Sequence, residues 1–201
     1  MKLIHAPASP FARKVRVFAR EANLLDALEL VPTAVLPTQR NPQVEVHNPL
    51  GKIPVLLTGQ GEALYDSRVI CEYLDSLAAT SLFAPLGQSR WHLLTIAALA
   101  DGVMDAALLV RYEDAVRPQE QQWSNWRNGQ TGKIERALDA LEKAGEPLEG
   151  EPNIAQIGVA CALGYLDFRL AELDWRNQRP ALQAFYERFF ARESMRESAP
   201  A

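Results

Sequence analysis

Cysteine, histidine and clustered positive charge are all scarce in this chain, and each shortage removes a class of function. Only two cysteines occur, Cys71 and Cys161, far apart inside apolar patterns of helical spacing. Buried free thiols in a reducing cytoplasm fit that placement better than a disulfide does. The three histidines, His5, His47 and His92, stand at no ligand-like spacing to acids or thiols, so no metal site is expected. No run of Lys or Arg stands out, and the net charge is −4 with a pI near 5.5. Nucleic acid and anionic membrane are therefore not expected as partners. No signal-peptide pattern or long apolar span is recognised, and Met1-Lys2 leads straight into a strand-like stretch. What is there is ordinary globular material: 48% hydrophobic and 23% charged over 201 residues, enough for a sizeable core in one domain or two small ones.

Taken in order, residues 2–5 read as a short strand, and Ala6-Pro7-Ala8 turns the chain. Ser9-Pro10 then opens a helix, with Ser as the N-cap and Pro at the first helical position. Phe11, Val15, Phe18 and Ala22 share one face of it, with Arg13, Lys14, Arg16 and Arg20 mostly elsewhere. A second strand is expected near 29–33. Residues 32–49 hold four prolines and little periodicity, which reads as a long loop with one irregular helix at most. Two short strands, 54–58 and 63–65, flank Gly59-Gln60-Gly61 as a hairpin. Asp66-Ser67 caps a helix whose stripe is Val69, Ile70, Tyr73, Leu74 and Leu77.

Near residues 80–88, around Pro85-Leu86-Gly87, strand patterns stop and everything that follows reads as helix. Helices are expected over 89–116, around Ile134, Leu138 and Leu141, over 153–170, and from Pro180 with Leu182, Phe185, Tyr186 and Phe189 inward. The 153–170 helix is apolar almost all round, which suits the centre of a bundle. Asn153 with Gln156 reads as a variant capping box. Charge divides as well: residues 1–80 balance 8 Lys+Arg against 8 Asp+Glu, so the remainder carries all of the −4. The expected organisation is an α/β domain over 1–79 and an all-α helical bundle over 87–201, with no internal repeat.

Three features could form one site. Ser9 stands where free N–H groups and the helix dipole favour an anion, and its hydroxyl could donate to a thiolate held there; its plainer role is an N-cap. In Lys52-Ile53-Pro54-Val55, the pre-proline Ile53 is held extended, and a cis Ile53-Pro54 bond would offer its backbone N–H and C=O to a peptide-like ligand. The plainer reading is a turn before an edge strand. Asp66-Ser67, also a cap, matches an α-amino-acid end group, with Ser67 and free N–H groups for the carboxylate and Asp66 for the ammonium. Lys52 adds a cation for a second carboxylate. An amino-acid head, a thiol, an extended backbone and a terminal carboxylate together describe glutathione.

At this point the chain resembles the cytosolic glutathione S-transferase family, as a bacterial member, over essentially its whole length. Ser9-Pro10-Phe11-Ala12-Arg13-Lys14-Val15 is similar to the catalytic segment of branches with Ser-Pro-Phe or Cys-Pro-Phe. Asn48-Pro49-Leu50-Gly51-Lys52-Ile53-Pro54-Val55-Leu56 resembles the cis-proline segment, and Tyr65-Asp66-Ser67-Arg68-Val69-Ile70 the Glu/Asp-Ser signature. The resemblance implies a thioredoxin-like N-terminal domain, a helical C-terminal domain, a cytoplasmic homodimer and glutathione as co-substrate. It assigns Ser9 to the thiol, Ile53 with Pro54 to the cysteinyl backbone, and Asp66 and Ser67 to the γ-glutamyl group. Serine at position 9, where thiol-transferring branches have cysteine, disfavours a mixed-disulfide mechanism. Asn153 and Gln156 depart from the family's Ser or Thr followed by Asp, a capping variation.

The second substrate implied is a small hydrophobic electrophile or a peroxide, and it is weakly specified. Asp101, Asp105 and Tyr112 on the long helix are candidates for its pocket or for a dimer cleft, with Asp101 as an acid that in some relatives reaches across the dimer. Val103, Met104, Leu108 and Leu109 fit core packing better, and Trp91, Trp123, Trp126 and Trp175 are assigned to packing. Two other readings stand beside the transferase: a non-catalytic relative that binds a protein partner, and a thiol reductase, which would need a reactive Cys71.

Overall fold

The computed structural model describes residues 1–79, 81–84 and 87–200. Thr80 and Pro85-Leu86, in the stretch assigned to the change of character, lie outside the described residues, as does the last residue of the 87–201 assignment. The chain divides into two compact units: Met1–Phe83 together with the residues from Glu193 onward, and Ala84–Arg192.

In the first unit, β1 (Lys2–His5), α1 (Pro10–Glu21) and β2 (Glu29–Pro32) form a parallel β-α-β turn of chain. A long connection follows, with one short helix, α2 (Pro42–Glu45). Then β3 (Val55–Leu57) pairs antiparallel with β1, Ile4 facing Val55, and β4 (Ala63–Leu64) pairs antiparallel with β3. Sheet order is β2-β1-β3-β4, and α3 (Ser67–Leu77) packs against α1 and β3. This is a thioredoxin-like α/β layer. Its inner faces bring Ile4, Val44 and Val55 together, with Val31, Ile53 and Leu57 packed around them.

Two expectations for this unit change. On α3 the buried stripe is Ile70, Cys71 and Leu74, while Val69 and Leu77 are exposed. On α1 the basic residues do not all face outward: Arg13 is 3% and Lys14 2% exposed. The reason is a last helix the sequence did not signal, α8 (Glu193–Glu197), which packs on α1. Arg13 donates from Nη2 to Met195 O at 2.9 Å and from Nε to Ser198 Oγ at 3.2 Å. Arg20 pairs with Glu193 at 2.7 Å, and the Ser194 hydroxyl donates to Glu21. A guanidinium loses several kcal/mol of hydration on burial, so those acceptors are what make the position tolerable. The division at 87–201 thus missed a C-terminal return to the first unit.

The second unit is all-helical: α4 (Gln88–Ala115), α5 (Ser124–Glu142), α6 (Ile154–Arg169) and α7 (Pro180–Phe190), with α4 packed on both α5 and α6. α6 is the central helix, buried from Ile154 to Leu166 without a break. Its Gly158 permits close approach, since a Cβ there would stand 3.3 Å from the Cβ of Ala100 on α4. Asn153 caps α6 through the Gln156 N–H at 3.0 Å, but Gln156 does not complete a box. Its amide instead donates to the carbonyls of Glu149 at 2.6 Å and Glu151 at 3.3 Å, pinning the preceding loop. α7 has no side-chain cap of its own; Glu142 on α5 accepts from the N–H groups of Ala181 and Leu182 at 3.0 and 2.8 Å.

Two further expectations are corrected here. Among the described residues α4 is long and apolar enough to cross a membrane by length and composition alone, with half of that window buried. Asp101, Gly102 and Asp105 broke up the run in the sequence and hid it. Trp175 is a core residue at 2% exposure, set edge-on to Tyr186 with ring centroids 5.5 Å apart. Trp91, Trp123 and Trp126, which sit at the polar starts of α4 and α5, are exposed and not packing residues.

Candidate functional site

The topology of the first unit brings its three sequence features to one end of the sheet. β3 runs opposite to β1 and β4 runs opposite to β3. The C-terminal end of β1, the N-terminal end of β3 and the C-terminal end of β4 therefore coincide. Ser9 follows the first, Ile53-Pro54 precedes the second, and Asp66-Ser67 follows the third. Extending the Ile4–Val55 register by two residues sets Ala6 level with Ile53.

Ser9 is half-buried at the start of α1. Its N–H donates to Ala6 O at 3.0 Å, and its Oγ accepts from the Ala12 N–H at 3.2 Å. The hydroxyl oxygen is thus fixed as an acceptor while its proton remains available, since among the described residues it donates to nothing. Pro10 has no N–H, so the first turn leaves one backbone donor fewer to be satisfied.

The Ile53-Pro54 bond is cis. Among the described residues no hydrogen bond uses the Ile53 N–H or C=O. The segment is held from below by Asn48, 2% exposed, to which the sequence reading gave no role. Its Oδ1 accepts from the Leu50 N–H at 3.1 Å, its Nδ2 donates to Lys52 O at 2.9 Å, and its carbonyl accepts from the Gly51 N–H at 2.8 Å. Gly51 has φ +63°, a conformation that a side chain would strain. The Lys52 side chain is exposed above this loop.

Asp66 caps α3, its carboxylate accepting from the Arg68 N–H at 2.9 Å, and it is itself exposed. Ser67 is 2% exposed, yet its hydroxyl makes no hydrogen bond among the described residues. The Tyr65-Asp66 bond is also cis, a geometry without proline to announce it. At the same end of β1 lies His5, 4% exposed, with neither ring nitrogen hydrogen-bonded. Burial, helped by the charge of Arg16, holds its pKa below the usual value of 6.5.

The candidates on α4 belong to the second unit, and the structure separates them from one another. Asp101 is 2% exposed, on the side of the helix that also buries Ala97, Ala100 and Met104, whereas Asp105 is exposed. Tyr112 is half-buried, and burial raises its phenol pKa. Val103 and Met104 are core residues, at 1% and 0% exposure. Among the described residues no group of His, Cys, Asp and Glu is arranged to hold a metal ion.

Comparison with known proteins gives a consistent answer for both units. Residues 8–77 match the family model described as the glutathione S-transferase N-terminal domain, and residues 124–188 match the glutathione S-transferase C-terminal domain. The chain is 37% identical over 206 residues to an Escherichia coli (strain K12) protein described as the uncharacterized GST-like protein YibF, covering 100% of this chain and 98% of that one. Its backbone is similar to a glutathione transferase family member from Pseudomonas fluorescens Pf-5 with bound glutathione, with TM-score 0.97, 46% identity, and 100% and 98% of the two chains covered. A second structure from that organism holds S-(propanoic acid)-glutathione, with TM-score 0.93, 46% identity and full coverage of both chains (100% and 100%). A glutathione-bound transferase from Methylobacillus flagellatus KT is 37% identical, with TM-score 0.89 and coverage of 100% and 99%.

Proposed function

The chain belongs to the glutathione S-transferase family, and from that premise we propose that it binds glutathione at the sheet end of the first unit and transfers it to an electrophile. The observation that carries this reading is the convergence of three unused hydrogen-bonding groups: the Ser9 hydroxyl proton, the Ile53 backbone pair and the Ser67 hydroxyl. Ser9 and the start of α1 stabilise the thiolate. Ile53 and Pro54 take the cysteinyl backbone, Asp66 and Ser67 the γ-glutamyl end, and Lys52 the distal carboxylate. The thiolate then forms a C–S bond to an electrophilic carbon. A leaving group departs with its electron pair, or, in an addition, the activating group takes up the pair and a proton. Holding thiol and electrophile together, with a lowered thiol pKa, supplies the rate. The relative that holds S-(propanoic acid)-glutathione carries a thioether of this product type.

Cys71 is 0% exposed, which speaks against the thiol reductase reading. A homodimer in the cytoplasm completes the proposal; the exposed Val69 and Leu77 on α3 support a partner surface. Of the two acids on α4, Asp105 is the accessible one, and it replaces Asp101 as the candidate for reaching glutathione of the other subunit.

A calorimetric titration with glutathione in two buffers of different ionisation enthalpy tests the reading. Binding with proton release near neutral pH is expected, and Ser9→Ala should keep binding while losing the release and slowing conjugation. Absence of glutathione binding would sink the proposal in favour of a partner-binding protein.

A further inference from the structure

Among the described residues, arginine or lysine is buried at three places: Arg13, Lys14 and Arg179, at 3%, 2% and 8% exposure. Arg179 is neutralised, by Glu135 at 2.6 Å and Asp139 at 2.7 Å. Arg13 has no such carboxylate within ion-pair distance among the described residues. Its guanidinium donates to two neutral oxygens, Met195 O at 2.9 Å and Ser198 Oγ at 3.2 Å.

The acids on the elements around α1 are engaged elsewhere. On α8, Glu193 and Glu197 pair with Arg20 at 2.7 and 3.5 Å, and Asp26 in the turn after α1 also acts on Arg20. Glu21, on α1 itself, accepts from the Ser194 hydroxyl. On α3, Asp75 accepts from Ser81 Oγ at 2.6 Å and the Leu82 N–H at 2.7 Å, and the other charged groups are Arg68 and Glu72. On β1, His5 is held below its usual pKa and is neutral at neutral pH.

Arg13 also stands at an unfavourable place on its helix. Its N–H donates to Ser9 O at 2.9 Å, so Ser9 and Arg13 lie one turn apart on the same face of α1. At that end the helix dipole favours anions and disfavours cations. Burial costs Arg13 hydration, the dipole adds repulsion, and no acid offsets either. An anion at Ser9 would offset both.

We propose that Arg13 is a positioning residue for the transfer: clasped by Met195 and Ser198, it keeps an uncompensated charge one turn from Ser9 and favours the thiolate of a thiol held there. The transferase reading supplies the identity of that thiol; the contacts of α1 with α8 supply the charge.

The first test needs no glutathione. Ser9→Cys places a thiol at the cap itself, while Cys71 and Cys161, both 0% exposed, are shielded from alkylation. Its rate of alkylation by iodoacetamide against pH gives a thiol pKa, expected below the free value of about 8.5. Added to Ser9→Cys, Arg13→Met should raise that pKa by about one unit, a tenfold loss of thiolate at lower pH. Arg13→Lys, which keeps the charge, should raise it much less.

Ser198→Asp serves even where Arg13→Met fails to fold. It replaces the hydroxyl that accepts from Arg13 Nε with a carboxylate, keeping the clasp and cancelling the charge. A cavity of about 160 Å³ lined by Ser194 and Ser198 leaves room for it. The thiol pKa should rise by a similar amount with Tm unchanged or higher, a combination that loss of packing does not produce. A thiol pKa unmoved by Ser198→Asp, or raised equally by Arg13→Lys and Arg13→Met, overturns the proposal.

Glutathione then separates the two readings. With Ser9 in place, ultraviolet titration of the bound thiolate should show the same rise in Ser198→Asp. An Arg13-dependent thiol at position 9 without glutathione binding would leave the role of Arg13 standing and remove the transferase reading. Glutathione bound as thiolate, at a pKa indifferent to Ser198→Asp, would do the reverse.

Discussion

Helices α1 and α3 both start at the same end of the sheet, yet they are mounted differently. α1 packs against both α3 and α8, and even its Arg13 and Lys14 are buried. α3 packs against α1 and β3 and leaves Val69 and Leu77 exposed. Their caps differ in the same sense: Ser9 caps with a neutral, half-buried hydroxyl, Asp66 with an exposed carboxylate. A hydroxyl is suited to hold a reacting sulfur in one place, because it both accepts from the helix and donates outward. A charged cap in water is suited to attract an ammonium group that needs less exact placement. Under the proposed function, the helix that also packs on α8 carries the chemistry and the more exposed one the affinity.

The largest break in that contrast is expected from Arg13→Ala. It removes both charge-assisted hydrogen bonds to Met195 O and Ser198 Oγ and should cost about 3 kcal/mol, a fall in Tm on the order of 6–12 °C by thermal unfolding. An unchanged Tm would mean that α8 does not fix α1. Ser67→Ala is next: glutathione affinity should weaken roughly tenfold in a titration while Tm barely moves, because the hydroxyl bonds to nothing before the ligand arrives. Swapping caps sharpens the comparison further. Ser9→Ala and Asp66→Ala should each lose about 1 kcal/mol of stability. Thermal melts and steady-state rates together would separate them, since only Ser9→Ala should lower kcat and only Asp66→Ala should raise the glutathione KM.

The smallest effect concerns acid. His5 has a folded-state pKa below its unfolded value of 6.5, so the unfolded chain binds the proton more readily. Stability is then full above about pH 6.5 and falls as pH drops toward the lowered folded value. His5→Gln should flatten the part of the Tm decline seen between about pH 7 and 5.5, and an identical slope in both proteins would exclude His5 as its source.

Much of the first unit was legible because its signals are stereochemical. Ser9-Pro10 can hardly be anything but a helix start, and Ile53-Pro54 had to lie at a strand's beginning. Period and cap together marked α3 and α6, and Pro180 with an apolar period marked α7. What stayed hidden depends on partners distant in sequence. Glu193–Glu197 is short and polar, and becomes a helix in place because Arg13, Arg20 and Glu21 receive it. Buried Arg13 was unreadable for the same reason. Asn48 looked like a turn residue, and nothing local says that its side chain ties two backbone groups.

The return of the chain to its first unit bears on the order in which the protein is made. A ribosome delivers residues from the N-terminus, and domains usually fold as they emerge. Here the sheet and α1 emerge first, but the acceptors for Arg13 at Met195 and Ser198 emerge after the whole helical unit. The half proposed to bind glutathione is the first to be synthesised and the last to be finished.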